Sequence, residues 1–521
     1  MFLREGPNYF ISLILVLVIL CGSFSGKAWA MTIEEEKKMG KKIFLEMERG
    51  VEFVKDPTLQ AFLDRMGQSL VSPMGTTPFE FKFYLINVPD PNAYALPGGY
   101  IFVTTGLITL AENEHEVAGV LSHEISHVTQ RHVSQMIEKS KRMSIATLAA
   151  IIAGALAGGA GGGGNVSGAT MVTAMAMAEA QALKYTRENE IDADQNSLPY
   201  MLKAGYDPAG LITFLTKIQK VGLASAPQIP SYLSTHPITE NRIALLENLI
   251  QIGGKPGGPF RSVGNFRRIQ TKAFIEEREA QASITQFQSL VDTRPQDVEG
   301  YYGLGLAYRK MGRLDKSVEV FQKGTTIAPA DPDLCTELGI VYFLSGKLDL
   351  AIQNLETAQS LSRVRTDSYE DLSSIYYLGR GYQEKGEMAK ALPFLLKVRK
   401  ELPEFSDVHY HLGSVYGRMD QKGLSHFYFG KYFKLRGERS NALTHFRKAA
   451  ELLEKGSPER EEVQREIKEL TGTKEPNSKH QQSNNDQNSN VRNRGIDVWG
   501  NWVAWSLELI WILEFGDWNL L

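Results

Sequence analysis

The chain has 521 residues, enough for two or more domains that each bury a core of their own. Hydrophobic residues at 43% and charged residues at 22% exclude wholesale disorder. A net charge of −3, without any concentrated Lys/Arg stripe, excludes a nucleic-acid footprint.

Residues 1–30 read as an export signal. Arg4 precedes an apolar run from Phe10 to Leu20, and Ala28-Trp29-Ala30 puts small residues at the −3 and −1 positions of a cleavage site after Ala30. The run falls short of the roughly 20 residues a spanning helix needs. Bulky Leu20 argues against a lipid on Cys21. Cleavage leaves Cys335 as the one remaining cysteine, so the exported chain is expected to be held together by cores rather than by a disulfide.

From 31 to 264 the pattern mixes helix and strand. Helical periodicity covers 33–49, 57–71, 112–139 and 170–202. Strands are expected at 81–88 and 99–108, joined by the Pro- and Gly-punctuated "PDPNAYALPG". The helix over 112–139 carries "HEISH". His123 and His127 stand four residues apart, so both imidazoles share one helix face and can reach one ion, while Glu124 sits beside it. A catalytic zinc needs a third protein ligand and an open position. Gln130 and Val133 stand where a metzincin would have glycine and histidine, which moves the search downstream. There "YTRENEIDADQ" (185–195) offers Glu190 and Asp194, again four apart. Glu190 can ligate, and Asp194 can accept a hydrogen bond from a ligand histidine. Glu188 and Asp192 point off that face and read as solvated surface. His132, five residues after His127 on a continuous helix, would lie about 140° away and reads as a packing or surface histidine; His115 reads the same way.

Between the two motifs lies 143–178, two apolar arms around a glycine-rich hinge. A lid over the cleft or an interfacial, membrane-touching segment is the preferred reading, and a true span is disfavoured by the glycine break.

"HEISH", "TRENEIDAD", "STHPITENR" (234–242) and "NAYALPGGYIFVTTGLI" (92–108) together resemble the gluzincin metallopeptidases of the HtpX and CAAX-prenyl-protease group. The soluble, exported, repeat-bearing branch of the β-barrel assembly-enhancing type matches best. The resemblance implies a zincin-like α+β peptidase domain with one Zn2+ per chain. It makes His123, His127 and Glu190 the ligands, Glu124 the general base and Asp194 a support for a ligand histidine. His236 becomes either an oxyanion donor or a residue that occupies the open zinc position and keeps the enzyme latent. Arg242 stays open between a structural and a site role. Thr186 and Tyr94 replace the family's usual serine and phenylalanine, neither in a chemical role. The strand over 99–105 resembles the cleft edge strand, on which extended substrate adds by main-chain hydrogen bonds. Unfolded or stalled polypeptides, outer-membrane β-barrel precursors among them, are the implied substrates, and the periplasm is the implied location.

From 265 to 470 the chain turns purely helical. Leu304-Gly305, Tyr308 and Gly312 recur 34 residues later as Leu338-Gly339, Tyr342 and Gly346, then, after a six-residue insertion, as Leu378-Gly379, Tyr382 and Gly386, and again from Leu412-Gly413. This resembles the tetratricopeptide repeat, an all-α solenoid that recruits substrate or assembly machinery. A chaperone-like scaffold with a latent peptidase domain is the competing reading, against which the intact Glu124 counts. Residues 471–495 are polar and low in complexity, and so are expected to be disordered. Residues 496–521 hold five of the six tryptophans and read as an interfacial helix or as an extension without selected function, the latter preferred.

Overall fold

The computed structural model describes residues 31–47, 51–139, 186–224, 230–253, 259–363, 369 and 371–472. The export signal, the apolar arms of 143–178, the linker from 473 and the Trp-rich tail lie outside the described residues.

Helices α1 (Ile33–Met47) and α2 (Pro57–Val71) precede a three-stranded sheet of β1 (Lys82–Ile86), β2 (Ala93–Leu96) and β3 (Tyr100–Thr104). Asp56 starts α2 by accepting from the Thr58 and Leu59 amides, and proline fills the first helical position, where no donor is lost. The strand order is β1-β3-β2, with β1 parallel and β2 antiparallel to β3. Two sequence expectations change here. The strand expected over 99–108 stops at Thr104, whose hydroxyl caps a short helix α3 (Thr105–Leu110). And β3 is the central strand, so the sheet's edges are β1 and β2, the second of which lies inside the segment read as a connection.

Alternation along the strands makes two cores. Phe83, Leu85, Ile101 and Val103 face one side with the buried faces of α2, α4 (Glu114–Thr129) and α7 (Ala209–Ala224). Tyr84, Ile86 and Phe102 face the other and pack on Ile43 and Met47 of α1. The helix read as continuous over 112–139 is broken. Helix α4 ends at Thr129, Arg131 takes a left-handed conformation (φ 59°), and α5 (His132–Lys139) starts again on a new axis. The remaining elements around the site are α6 (Arg187–Ala204), α8 (Ser231–Thr235) and α9 (Glu240–Gly253).

Helix α10 (Phe266–Glu277) opens the helical array. Paired helices follow: α11 (Ala280–Thr293), α12 (Val298–Lys310), α13 (Leu314–Ile327), α14 (Pro332–Leu344), α15 (Leu348–Ser362), α16 (Leu372–Glu384), α17 (Met388–Glu401), α18 (Ser406–Arg418), α19 (Lys422–Leu435), α20 (Arg439–Leu452) and α21 (Pro458–Gly472). The 34-residue register has a steric origin. A Cβ on Gly305 would sit 2.5 Å from the Phe321 ring, and one on Gly339 would sit 2.7 Å from Leu355, so only glycine lets these helices cross. Gly312, Gly346 and Gly386 take positive φ between the helices of successive hairpins, and Asp420 holds that place in the fourth.

The array packs on the α/β part rather than hanging from it. Ile269 and Ala273 of α10 join the core of α2 and α4, while Ala61 of α2 joins the core of the later repeats. Polar contacts reinforce this. Lys272 reaches Asp56 at 2.8 Å and also pairs with Glu337, and Thr58 donates to Asp371 at 2.6 Å. The first helices of several hairpins are thus used internally, which reduces the surface the repeats have left for a partner. Among the described residues, no helix is long and apolar enough to cross a membrane.

Candidate metal centre

Helices α4 and α6 lie side by side, and the sequence fixes how each presents its polar face. Asn113 caps α4 through the Glu116 amide, and apolar Val117, Leu121 and Ile125 turn the helix into the core. His123 and His127 are carried on the adjacent stripe. Thr186 and Asn189 form a reciprocal cap at the start of α6, which sets the phase that brings Glu190 and Asp194 to the histidines. His236 caps the C-terminus of the short α8. That helix is tied down by Ser231, which accepts from Asn92 at 2.6 Å and donates its amide to Asp90 at 3.0 Å. The Tyr232 ring stacks on His236 at 4.7 Å.

One donor atom each from His123, His127, Glu190 and His236 falls within 4.8 Å of the other three, and all four residues are buried. The spacing suits one small cation. His123 Nε2 and His127 Nε2 are 3.1 Å apart, and they lie 3.5 and 3.4 Å from the Glu190 oxygens. Donors placed tetrahedrally at zinc–nitrogen and zinc–oxygen distances are separated by about 3.3 Å. Glu190 and Glu124 are both fully buried among these rings, and buried carboxylates persist only beside compensating charge, which a cation at the centre of the donors would add to that of Arg242. The donor set therefore fits a divalent metal.

Around the four donors stand the groups that orient them. Asp194 Oδ1 is 3.0 Å from His123 Nδ1, leaving Nε2 to face the centre. Arg242, only 1% exposed, donates from Nε to Asp194 Oδ2 at 2.7 Å and from Nη2 to Oδ1 at 2.8 Å, and its Nη1 lies 2.6 Å from Glu190 Oε2. Burial opposes ionisation of Asp194, but the hydrogen bonds from Arg242 and His123 outweigh it and hold the carboxyl below its ordinary value. Burial raises Glu124 above the ordinary carboxylate range, against the pull of His236 and His123, so its proton affinity moves toward that of a general base. Glu124 also sits against β2, with the Ala95 amide facing its carboxylate.

The residues singled out in the sequence come together here except Glu188, which is exposed, and His115, whose ring packs on Tyr206 and Phe260 away from the centre. Three further residues join the centre. Arg242 pins both acidic residues of α6. His132 is buried, and its Nδ1 lies 3.0 Å from His127 Nδ1. Its Nε2 lies 3.1 Å from Asp192 Oδ2, so Asp192 is no bystander. If His127 offers Nε2 to a metal, its Nδ1 carries the proton and His132 must accept it, donating in turn from Nε2 to Asp192. On one continuous helix His132 would face away from His127; the left-handed Arg131 swings the ring back. The sequence offers little warning, because neither glycine nor asparagine marks that turn.

Residues 56–250 match the model of Peptidase family M48, and residues 298–331 match a tetratricopeptide repeat. A putative β-barrel assembly-enhancing protease of Vibrio cholerae is 34% identical over 41% of this chain and 43% of its own length. The β-barrel assembly-enhancing protease of Escherichia coli K12 is 30% identical over 42% and 44%. The mitochondrial metalloendopeptidase OMA1 of Arabidopsis thaliana is 33% identical over 32% and 31%. The matches thus span less than half of each relative. Residues 56–250 are thus similar to the peptidases of family M48 and residues 298–331 to a tetratricopeptide repeat, and the buried histidine–glutamate cluster falls inside the first of these regions.

Proposed function

We propose that the protein is an exported zinc endopeptidase that cleaves misfolded or stalled envelope polypeptides, outer-membrane β-barrel precursors among them, in the periplasm. The observation that carries the reading is a fully buried Glu124 beside four convergent donors, with burial raising its proton affinity. A pure binding protein has no use for that carboxylate.

In this reading His123, His127 and Glu190 hold the ion, with Asp194 and Arg242 fixing the orientation of His123 and Glu190. A zinc ion there supplies Lewis-acid polarisation and eases the deprotonation of water. Glu124 accepts the proton of the attacking water and returns it to the departing amide nitrogen, the usual division of labour for a base in a dry site. The open edge of β2 receives an extended segment through main-chain hydrogen bonds, placing its carbonyl near Glu124 without strong sequence preference. The relatives' printed names, which speak of β-barrel assembly, support the choice of substrate class.

One observation favours a resting form. His236 completes a set of four protein donors, its Nδ1 3.1 Å from Glu190 Oε1 and its Nε2 3.4 Å from Glu124 Oε1. Four protein donors close a zinc site, whereas catalysis needs one position open. His236 must then withdraw for turnover, and His236→Ala should raise cleavage. The test of the whole reading is incubation of the zinc-loaded protein with an unfolded outer-membrane β-barrel protein. Fragments that disappear with a chelator and return with zinc are expected; intact substrate, with both wild type and His236→Ala, would refute it.

A further inference from the structure

On the sheet face turned away from α4, a cavity of about 400 Å3 lies between the strands and the later repeats. That is within the size range of small-molecule sites. Phe44, Tyr84 and Tyr100 form its wall on the sheet side, and Phe427 and Tyr428 form the wall on the repeat side. Most of its basic residues are already paired: Lys82 with Glu404 at 2.8 Å, Lys431 with Glu466 at 2.7 Å, and Lys41 and Lys434 with Glu469. Arg399 is different. It lines the cavity without a hydrogen bond or ion pair among the described residues, and its Nε is buried with no partner. Its guanidinium carbon stands 5.9 Å from the centre of the Tyr428 ring.

His409 lies beside the same ring, 6.1 Å away, and is 5% exposed. Its Nε2 is 2.8 Å from the Pro403 carbonyl, which can only accept, so Nε2 carries the proton and Nδ1 is an acceptor. That Nδ1 is also buried without a partner. The cavity therefore holds an unsatisfied cationic donor and an unsatisfied neutral acceptor, surrounded by aromatic rings.

We propose that this cavity binds a carboxylate adjoining an N–H and an apolar or aromatic side chain, the chemistry of a polypeptide's C-terminal residue or of a free N-acylamino acid. The carboxylate meets Arg399, the N–H meets His409 Nδ1, and the side chain enters among the rings. The site is separate from the metal centre and needs none of its residues.

The test is fluorescence anisotropy with the full chain and a labelled decapeptide ending in free phenylalanine, against the same peptide as its C-terminal amide. The amide, and the Arg399→Gln variant with the free acid, should each bind roughly tenfold weaker or worse, as loss of a charged hydrogen bond implies. N-acetylphenylalanine competing as well as the peptide assigns the site to free acids; much weaker competition assigns it to polypeptide ends. Equal affinity for acid and amide overturns the proposal. Should the variant fail to fold, a peptide ending in p-benzoylphenylalanine can be cross-linked to wild type. Adducts at 41–45, 84, 100 or 427–428 support the site, and adducts confined to the metal cleft overturn it.

Discussion

Arg242 is the residue whose removal says most about how the site is held. Replacing it by methionine keeps the length of the side chain and takes away its charge and every donor. Asp194 then loses two hydrogen bonds of 2.7 and 2.8 Å, Glu190 loses a cation at 2.6 Å, and the Pro237 carbonyl loses a donor at 2.9 Å. Both carboxylates are fully buried, so neither recovers water in exchange. Removing one partner of such a buried ion pair costs about 3–5 kcal/mol. In the metal-free protein Glu190 keeps its histidine neighbours, His236 Nδ1 at 3.1 Å and the His123 and His127 rings at 3.5 and 3.4 Å, so a loss at the lower end of that range, about 3 kcal/mol, is expected. With zinc present the ion shares the Glu190 charge, so the loss should be smaller. Arg242→Lys keeps the charge without the planar fork and should fall between wild type and methionine. Urea unfolding followed by far-ultraviolet circular dichroism, after treatment with a chelator and again with zinc restored, measures each step. A loss below about 1 kcal/mol in metal-free Arg242→Met would refute the view that this arginine neutralises the acidic face of α6.

His132→Ala and Asp192→Asn should each weaken zinc binding by roughly 10–100-fold in chelator competition, because His127 loses its proton acceptor; unchanged affinity would reduce His132 to packing. Lys272→Met leaves Asp56 without its cation and Glu337 with Arg309 alone, and a drop of about 3 kcal/mol in unfolding free energy is expected; a neutral result would mean that Arg309 and the α2 amides suffice for both acids. Acid should also weaken the repeats through His409. Burial drives its pKa down to about 4, so between pH 6.5 and 4 the unfolded chain binds a proton that the folded chain refuses, and stability falls as pH falls. Going from pH 7.5 to 5 should cost about 2 kcal/mol from this histidine, a difference absent in His409→Gln; an equal loss in both proteins would assign the acid sensitivity to other groups.

What could be read from the sequence was whatever repeats at short range. His123 with His127, and Glu190 with Asp194, share helix faces through spacing alone, and the 34-residue register reflects glycine-against-ring contacts inside each hairpin. What escaped depends on tertiary structure. Strand β2 is four residues within a Pro- and Gly-punctuated stretch, and pairing with β3 makes it a strand where propensity does not. The shift from β3 to α3 turns on the Thr104 side chain, and the return of His132 onto His127 turns on a single left-handed arginine. Arg242 follows "STHPITEN" without a pattern to mark it, and its role exists only because α9 packs against α6. The α10 helix belongs by sequence to the repeats and by packing to the α/β core, because its apolar face has partners on both sides.

The central claim is that Glu124 moves the proton at a metal centre held by its neighbours. Glu124→Gln changes one oxygen to an amide without touching a proposed ligand. Zinc content should stay at one ion per chain while cleavage of an unfolded outer-membrane β-barrel protein falls by about 10²–10⁴-fold. Cleavage undiminished at full zinc occupancy would contradict the account.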